Sequence, residues 1–291
     1  MFLEAVVSIL SFFPVIGLAT LGGFIGQKSG VWNISVEGMM AFGTFSGVLA
    51  YNYLGGSIPL SLLVGFCLGM IWGALLSVLC VHLNLDQIVV GFGLWFLTEG
   101  LAGFLYFTTL PSVKVTETLG PKLLSLDPVF YLTLASFALF HIFLKKTKMG
   151  LAVVAVGENP RAADAAGIDV YGVRWMCTTV GAAFMGLSGA YLSLVILQGF
   201  TYQMVAGYGW AAFALVLFGR WSARGTFLSS LFFTFLIGIQ TRMQVAGFQL
   251  IPSEFMVVVP YVGVVLALAV MGATGKGGGM PKALGVHYER E

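Results

Sequence analysis

The polar side chains that could do chemistry are few, and they sit in apolar surroundings. Glu37, Asp86 and Glu99 fall inside or at the edge of long hydrophobic runs, with Asn33, Gln87 and Thr98 beside them. An ionised acid within hydrocarbon costs on the order of 2.5–3.5 kcal/mol even on mild insertion scales, so such residues are paired or functional. Glu37, near the start of its run, can cap a half-helix, bond backbone in a broken segment, or face a solute path. Asp86 fits an interfacial helix cap as well as a pathway role. Glu99 lies deeper and is expected to face the bundle, satisfied by hydroxyls such as that of Thr98 or by another helix. His82, His141 and His287 are scattered, and no intramembrane His or Lys completes a proton relay. Cys67, Cys80 and Cys177 lie in apolar runs without metal-ligand spacing, so no metal site is expected. The sequence has no P-loop, HExxH, nucleophile elbow or CxxC. It cannot hydrolyse ATP by itself, and it reads as no enzyme.

The elements that hold these residues follow from composition. The chain is 58% hydrophobic and 9% charged, against roughly 25% charged in soluble domains. This is the composition of an all-α polytopic membrane protein. Basic residues lie singly or in short clusters between apolar segments, so nucleic acid is not an expected partner and lipid is. Apolar runs fall at about 2–25, 34–54, 58–80, 88–107, 127–144, 174–197, 208–219, 226–241 and 255–272. Several are shorter than the roughly 20 residues a span needs. The expectation is eight to ten membrane helices, nine on a literal count, with some short or broken. Residues 1–274 form the transmembrane domain, and 275–291 a glycine-rich, poorly ordered tail.

Asn33 to Gly38 and Tyr202 to Gly207 each follow a glycine-rich helix and precede an apolar run. Paired interruptions in two halves of a transporter point to a pseudo-repeat with the transport path between its halves. Asn33, Glu37, Gln87, Glu99 and Trp210 are the candidate pathway residues.

The polar stretch within 145–173 stands apart. Asn159 suits an N-cap, Pro160 the first helical position, the alanine-rich Arg161 to Ala166 a short helix, and Gly167 a left-handed stop. A short capped helix between long apolar segments is presented to water or to a partner; an ordinary surface loop is the alternative. With this loop placed inside, Lys28, Lys145, Lys146, Lys148, Arg161, Arg174, Arg220, Arg224, Lys276, Lys282 and Arg290 are cytoplasmic, eleven of the fourteen basic residues. Lys114, Lys122 and Arg242 are outside. The bias toward cytoplasmic Lys and Arg selects this orientation, with the C-terminus inside.

The run Gly157-Glu158-Asn159-Pro160, Ala162-Ala163, Ala166-Gly167-Ile168 resembles the cytoplasmic coupling loop of ABC-importer permeases serving branched-chain amino acids, simple sugars and nucleosides. Ser29 to Met40 resembles the SGVVNIGxEGMM segment of the nucleoside and simple-sugar branch. Asp86-Gln87-Ile88-Val89 with Gly91 is similar to its ADQIVxG segment, and Ala206 to Trp221 to its AGRGWxAxAxxxFGRW segment. Tyr208 stands where arginine is frequent, which removes a charge-based role there. The resemblance implies a permease subunit in a bacterial or archaeal cytoplasmic membrane. Its implied partners are an ABC ATP-binding subunit, a second and unlike permease, and an extracytoplasmic solute-binding protein. ATP and Mg would be used by the ATPase partner; this chain would bind no cofactor. Gly157, Glu158, Asn159, Pro160, Arg161, Ala162, Ala163, Ala166 and Gly167 would contact the ATPase. Motif similarity ranks nucleoside over simple sugar over branched-chain amino acid as solute. An ion-gradient-driven secondary transporter is the other reading of the composition, and a membrane scaffold a third.

Overall fold

The computed structural model describes residues 2–109, 114–117, 119–120, 122–245, 253–256, 258–273 and 279–289. Among these the protein is all-helical. The helices are α1 (Phe2–Leu10), α2 (Phe13–Lys28), α3 (Val36–Tyr53), α4 (Ile58–Ser77), α5 (Gln87–Thr109), α6 (Pro128–Lys146) and α7 (Lys148–Glu158). They continue with α8 (Pro160–Ala165), α9 (Val170–Tyr191), α10 (Tyr208–Phe218), α11 (Ala223–Val245), α12 (Ser253–Met256) and α13 (Val259–Ala273). One π turn, Val78–His82, ends α4 and another, Leu192–Ile196, ends α9. Six of the segments are long and apolar enough to cross a membrane. Seven of the nine hydrophobic runs each lie on one helix, with a π turn ending two of them; the first holds α1 and most of α2, and the ninth overlaps α12 and α13. The first, expected to be continuous, is stepped at Ser11 and Phe12, where Pro14 opens α2. The Tyr191 hydroxyl donates to the Ser11 carbonyl at 3.1 Å and covers a group the step leaves free.

The two halves pack by exchange. α2 and α9 lie against each other; α3 packs on α9, and α10 on α2. α4 packs on α9, and α11 on α2; α5 lies against α3, and α13 against α10. Exchanging α2 with α9, α3 with α10, α4 with α11 and α5 with α13 leaves this set of contacts unchanged, a pattern consistent with a pseudo-repeat.

α9 is the centre of this arrangement, enclosed by α2, α3 and α4. In a membrane the lipid tails are as apolar as leucine, so helices associate by close backbone approach and polar contacts between them. The sequence of α9 suits this, with Gly181, Ala182, Ala183, Gly186, Gly189 and Ala190 all buried. A methyl group on Gly186 would meet the Gly69 Cα at 2.8 Å, and one on Gly181 would meet the Gly22 oxygen at 2.5 Å. Hydroxyls add hydrogen bonds where backbones are close. Ser188 donates to the Val15 carbonyl at 2.5 Å, and Ser193 to that of Thr44 at 2.9 Å.

Gly186→Leu should therefore force α9 away from α4. The expected cost is at least the 1–3 kcal/mol of overpacking a core, seen as a lowered unfolding temperature in detergent. Phe104→Leu, on an exposed face of α5, should leave that temperature unchanged.

Candidate functional site

The first interruption begins where Gly30, at φ +96°, reverses the chain after α2. Ser29 Oγ donates to the Gly26 carbonyl at 2.7 Å. The Trp32 N–H donates to Gln87 Oε1 at 2.8 Å, tying the loop to the start of α5. Asn33 Oδ1 accepts from the Ser35 N–H at 3.1 Å and from the Ser35 hydroxyl at 2.7 Å. Its amide points at the sulfurs of Met39 and Met185. Asn33 and Gln87 are thus buried pins of the loop in this structure.

Glu37 lies in the first turn of α3, and its side chain leaves that helix. Its carboxylate accepts from the Gly207 N–H at 2.7 Å, the Gly209 N–H at 2.7 Å and the Trp210 N–H at 3.3 Å. Those are orphan donors at the N-terminus of α10, where the helix dipole also favours negative charge. α10 has 11 residues, roughly 16 Å at 1.5 Å each, about half of a 30 Å hydrocarbon core. It is a half-helix that starts at depth. Gly207 at φ +89° makes the entry turn, and a methyl on Gly209 would meet the Glu37 Cα at 2.5 Å. Of the roles open to Glu37 in the sequence, the structure shows it bonding backbone at the start of a half-helix.

Trp210 follows the cap and packs on α5, 5.0 Å from Trp95 and 5.8 Å from Phe92 between ring centroids. Glu99 lies one turn beyond Trp95 and is half-buried. Of its two expected kinds of partner, a hydroxyl or another helix, the adjacent Thr98 Oγ1 donates instead to the Leu94 carbonyl at 2.7 Å. Among the described residues no hydrogen bond or ion pair reaches the Glu99 carboxylate. Asp86 is a helix cap, accepting from the Ile88 and Val89 N–H groups, each at 2.9 Å. Glu37, Glu99 and Trp210 thus gather around the start of α10, with Asn33 and Gln87 nearer the end where α5 begins.

The second cluster lies on the face where α2 ends and α5 begins. Asn159 is extended, and its Oδ1 accepts from the Ala162 N–H at 3.1 Å. Pro160 starts α8. Gly167 at φ +83° ends it, with the Ile168 N–H bonded to the Ala163 carbonyl at 3.0 Å, the closure of a Schellman motif. Gly157, Pro160 and Ala163 are buried and seat α8 on the bundle; Asn159, Arg161, Ala162, Ala166 and Gly167 are exposed, and Glu158 is half-buried.

The tail differs from expectation. Residues 279–289 pack across this face. The Ala283 N–H donates to the Gly157 carbonyl at 2.9 Å, and the Gly285 N–H to that of Gly30 at 3.0 Å. Arg174 donates to the Val286 carbonyl at 3.0 Å, and the Asn84 amide to that of Tyr288 at 3.2 Å. The strap joins the α7–α8 seat, the first interruption, α9 and the turn before α5. Its glycine-rich, charged composition gave no periodic signal, and the backbone partners that hold it have no sequence signature. Lys276 and Arg290 lie outside the described residues.

Elsewhere, a crevice of about 320 Å³ is lined in part by Lys28, His141, Lys145 and Arg224, and a larger one is apolar. The larger, of about 640 Å³, is lined by Leu62, Leu63, Phe66, Val129 and Leu187, with Ser136 at its edge. Among the described residues, no group of three or more His, Cys, Asp or Glu could hold a metal ion.

Comparison with known proteins adds the following. The family described as the permease component of branched-chain amino acid transport systems matches residues 5–273. The nucleoside ABC transporter permease protein NupC of Lactococcus lactis is 33% identical over 296 residues, covering 92% of this chain and 91% of that protein. The guanosine ABC transporter permease protein NupQ of Bacillus subtilis is 32% identical over 301 residues, covering 93% and 92%. The putative glucose ABC transporter permease protein TsgC13 of Haloferax volcanii is 31% identical over 261 residues, covering 82% and 77%. No solved structure matches.

Two outcomes follow from the geometry. Glu37→Ala strands three N–H groups inside the membrane, at about 1–3 kcal/mol for each unsatisfied buried group. It should lower the unfolding temperature in detergent more than Glu37→Gln, whose amide oxygen still accepts from part of this set. Gly285→Leu, at φ +79° and against Trp32, should release the strap. Amide hydrogen exchange should then quicken at residues 157–167 while the centre of α9 stays protected.

Proposed function

The chain belongs to the family of permease components of branched-chain amino acid transport systems, and from that premise we propose that it is one permease subunit of an ATP-driven nucleoside importer. The observation that carries the coupling half of this reading is α8: a short, doubly capped helix seated by buried residues and exposed along its outer side. A loop with no partner has no need of a rigid seat. The sequences named for nucleoside and guanosine transport match nearly the full chain, which supports a nucleoside over a sugar. A gradient-driven transporter is disfavoured, because family membership supplies an ATP-driven system and α8 a place for it to act.

In this reading the α8 face is cytoplasmic. It collects Lys28, Lys145, Lys146, Lys148, Arg161 and Lys282, whereas Lys114 and Lys122 lie in the loop at the opposite end, where Lys114 pairs with Gly199. The C-terminal strap is then cytoplasmic too. The working complex contains two ATP-binding subunits, which use ATP and Mg, a second permease unlike this one, and an extracytoplasmic solute-binding protein. ATP binding draws the two α8 helices together, and the permease pair opens outward to take solute; hydrolysis resets it. Motion at α8 reaches the path through the strap, since Gly157 and Gly30 are both bonded to it.

Ala162 is exposed and Ala163 buried, which gives a paired test. Ala162→Trp should abolish solute-stimulated ATPase and uptake, with the protein still folded and in the membrane. Ala163→Trp and Gly157→Trp should instead lower the unfolding temperature, because they displace the seat. Normal coupling in Ala162→Trp would remove α8 from the contact. Co-purification is the wider check: an ATP-binding subunit and a second permease are expected with the tagged chain, and neither is expected for a gradient-driven carrier.

A further inference from the structure

One stripe of α5 carries Phe92, Trp95, Phe96, Glu99, Gly103 and Tyr106, at the spacings that share a helix face. The segment that descends to α10 covers part of it. Trp210 covers the lower end against Phe92 and Trp95. At the upper end Tyr202 lies over Gly103, where a methyl would meet its ring at 2.6 Å, and Phe200 packs on Tyr106 with centroids 4.5 Å apart. Glu99 falls between these two groups of rings. It is half-buried, within a membrane span, and bonded to nothing among the described residues.

A carboxylate in that position does not face lipid. An acid framed by aromatic rings matches a flat ligand with N–H groups on its edge: rings stack on its faces, and a carboxylate, which only accepts, takes its donors. Trp95 Nε1, one turn away and covered in this structure, is a donor with no partner. An unpaired acceptor near an unpaired donor complements a base edge on which N–H groups stand beside a carbonyl.

We propose that Glu99, between the Trp95–Trp210 pair and Tyr202, is a specificity-determining contact for the base of the solute in transit, and that it favours purines with N–H at ring position 1, as in guanine and hypoxanthine, over adenine. Adenine presents an acceptor at that position, which a carboxylate repels. This rests on the nucleoside reading above and would make the permease a second filter after the binding protein.

The test uses the complete importer with its co-purifying subunits in proteoliposomes, with labelled guanosine, inosine and adenosine each supplied at saturation. The wild type should move guanosine and inosine faster than adenosine. Glu99→Gln should narrow the guanosine-to-adenosine rate ratio by about tenfold, the scale of one charge-assisted hydrogen bond. Glu99→Asp, which keeps the acceptor, should retain the preference at a lower rate. An unchanged ratio in Glu99→Gln overturns the proposal. So does failure of Glu99→Gln, but not Glu99→Asp, to assemble, which would assign the carboxylate to pairing with the second permease. ATP-dependent uptake of a sugar and of no nucleoside by the wild type overturns the nucleoside reading instead, and this contact with it.

Discussion

Glu37 must leave its own helix and close another, and much of the architecture depends on this. A helix that begins in the middle of a membrane exposes N–H groups where no water can reach them. α10 is such a helix. Its entry turn, Gly207 to Trp210, is tolerable because the Glu37 carboxylate accepts three of those N–H groups. The arrangement requires glycine at 209, where the Glu37 backbone is in contact, and a left-handed Gly207 before it. It also requires α3 to start at depth, so the first interruption must hold the chain from Ser29 to Ser35. That loop is held by Gln87 from outside and Asn33 from within. The two interruptions are mutually dependent: one supplies the acid, the other the backbone that needs it.

The frame around them is built differently. α9 and its neighbours rely on small residues and backbone contact rather than on large side chains, because a membrane offers no hydrophobic drive between helices. Close packing of this kind is stiff and moves in discrete steps, not by gradual deformation. Other parts are held more lightly. α8 rests on a seat of three buried residues, and the strap crosses the same face on a few backbone hydrogen bonds. A shift at α8 has a short covalent and hydrogen-bonded route, through Gly157, Ala283, Gly285 and Gly30, to the loop that precedes Glu37. An importer that opens and closes around a central path needs that combination of rigid core and lightly held connections.

Much was legible in the sequence, since one constraint was at work locally. Membrane helices need long apolar runs, and the runs lie on helices, the first on two. Asn159, Pro160 and Gly167 read as cap, first residue and stop because those roles depend on each residue's own backbone and side chain, and the structure uses them so. The half-helix was visible in the shortness of 208–219. The acids were visible as anomalies, since hydrocarbon makes a carboxylate conspicuous wherever it lies.

What the acids do was decided only in three dimensions. Glu37 and Gly207 are far apart in the chain, and nothing local to either announces that one will cap the other. Glu99 and Thr98 are adjacent in sequence, yet they point apart on the helix, so the hydroxyl bonds to its own turn and the acid is left open. The strap is held by backbone groups, which every residue carries, so no residue type marks it in advance. The sequence determined the solvent, the helices and their ends, which follow from periodicity and from short-range stereochemistry. Partnerships between distant residues depend on the angles and depths at which helices cross, and those come from packing the whole chain at once.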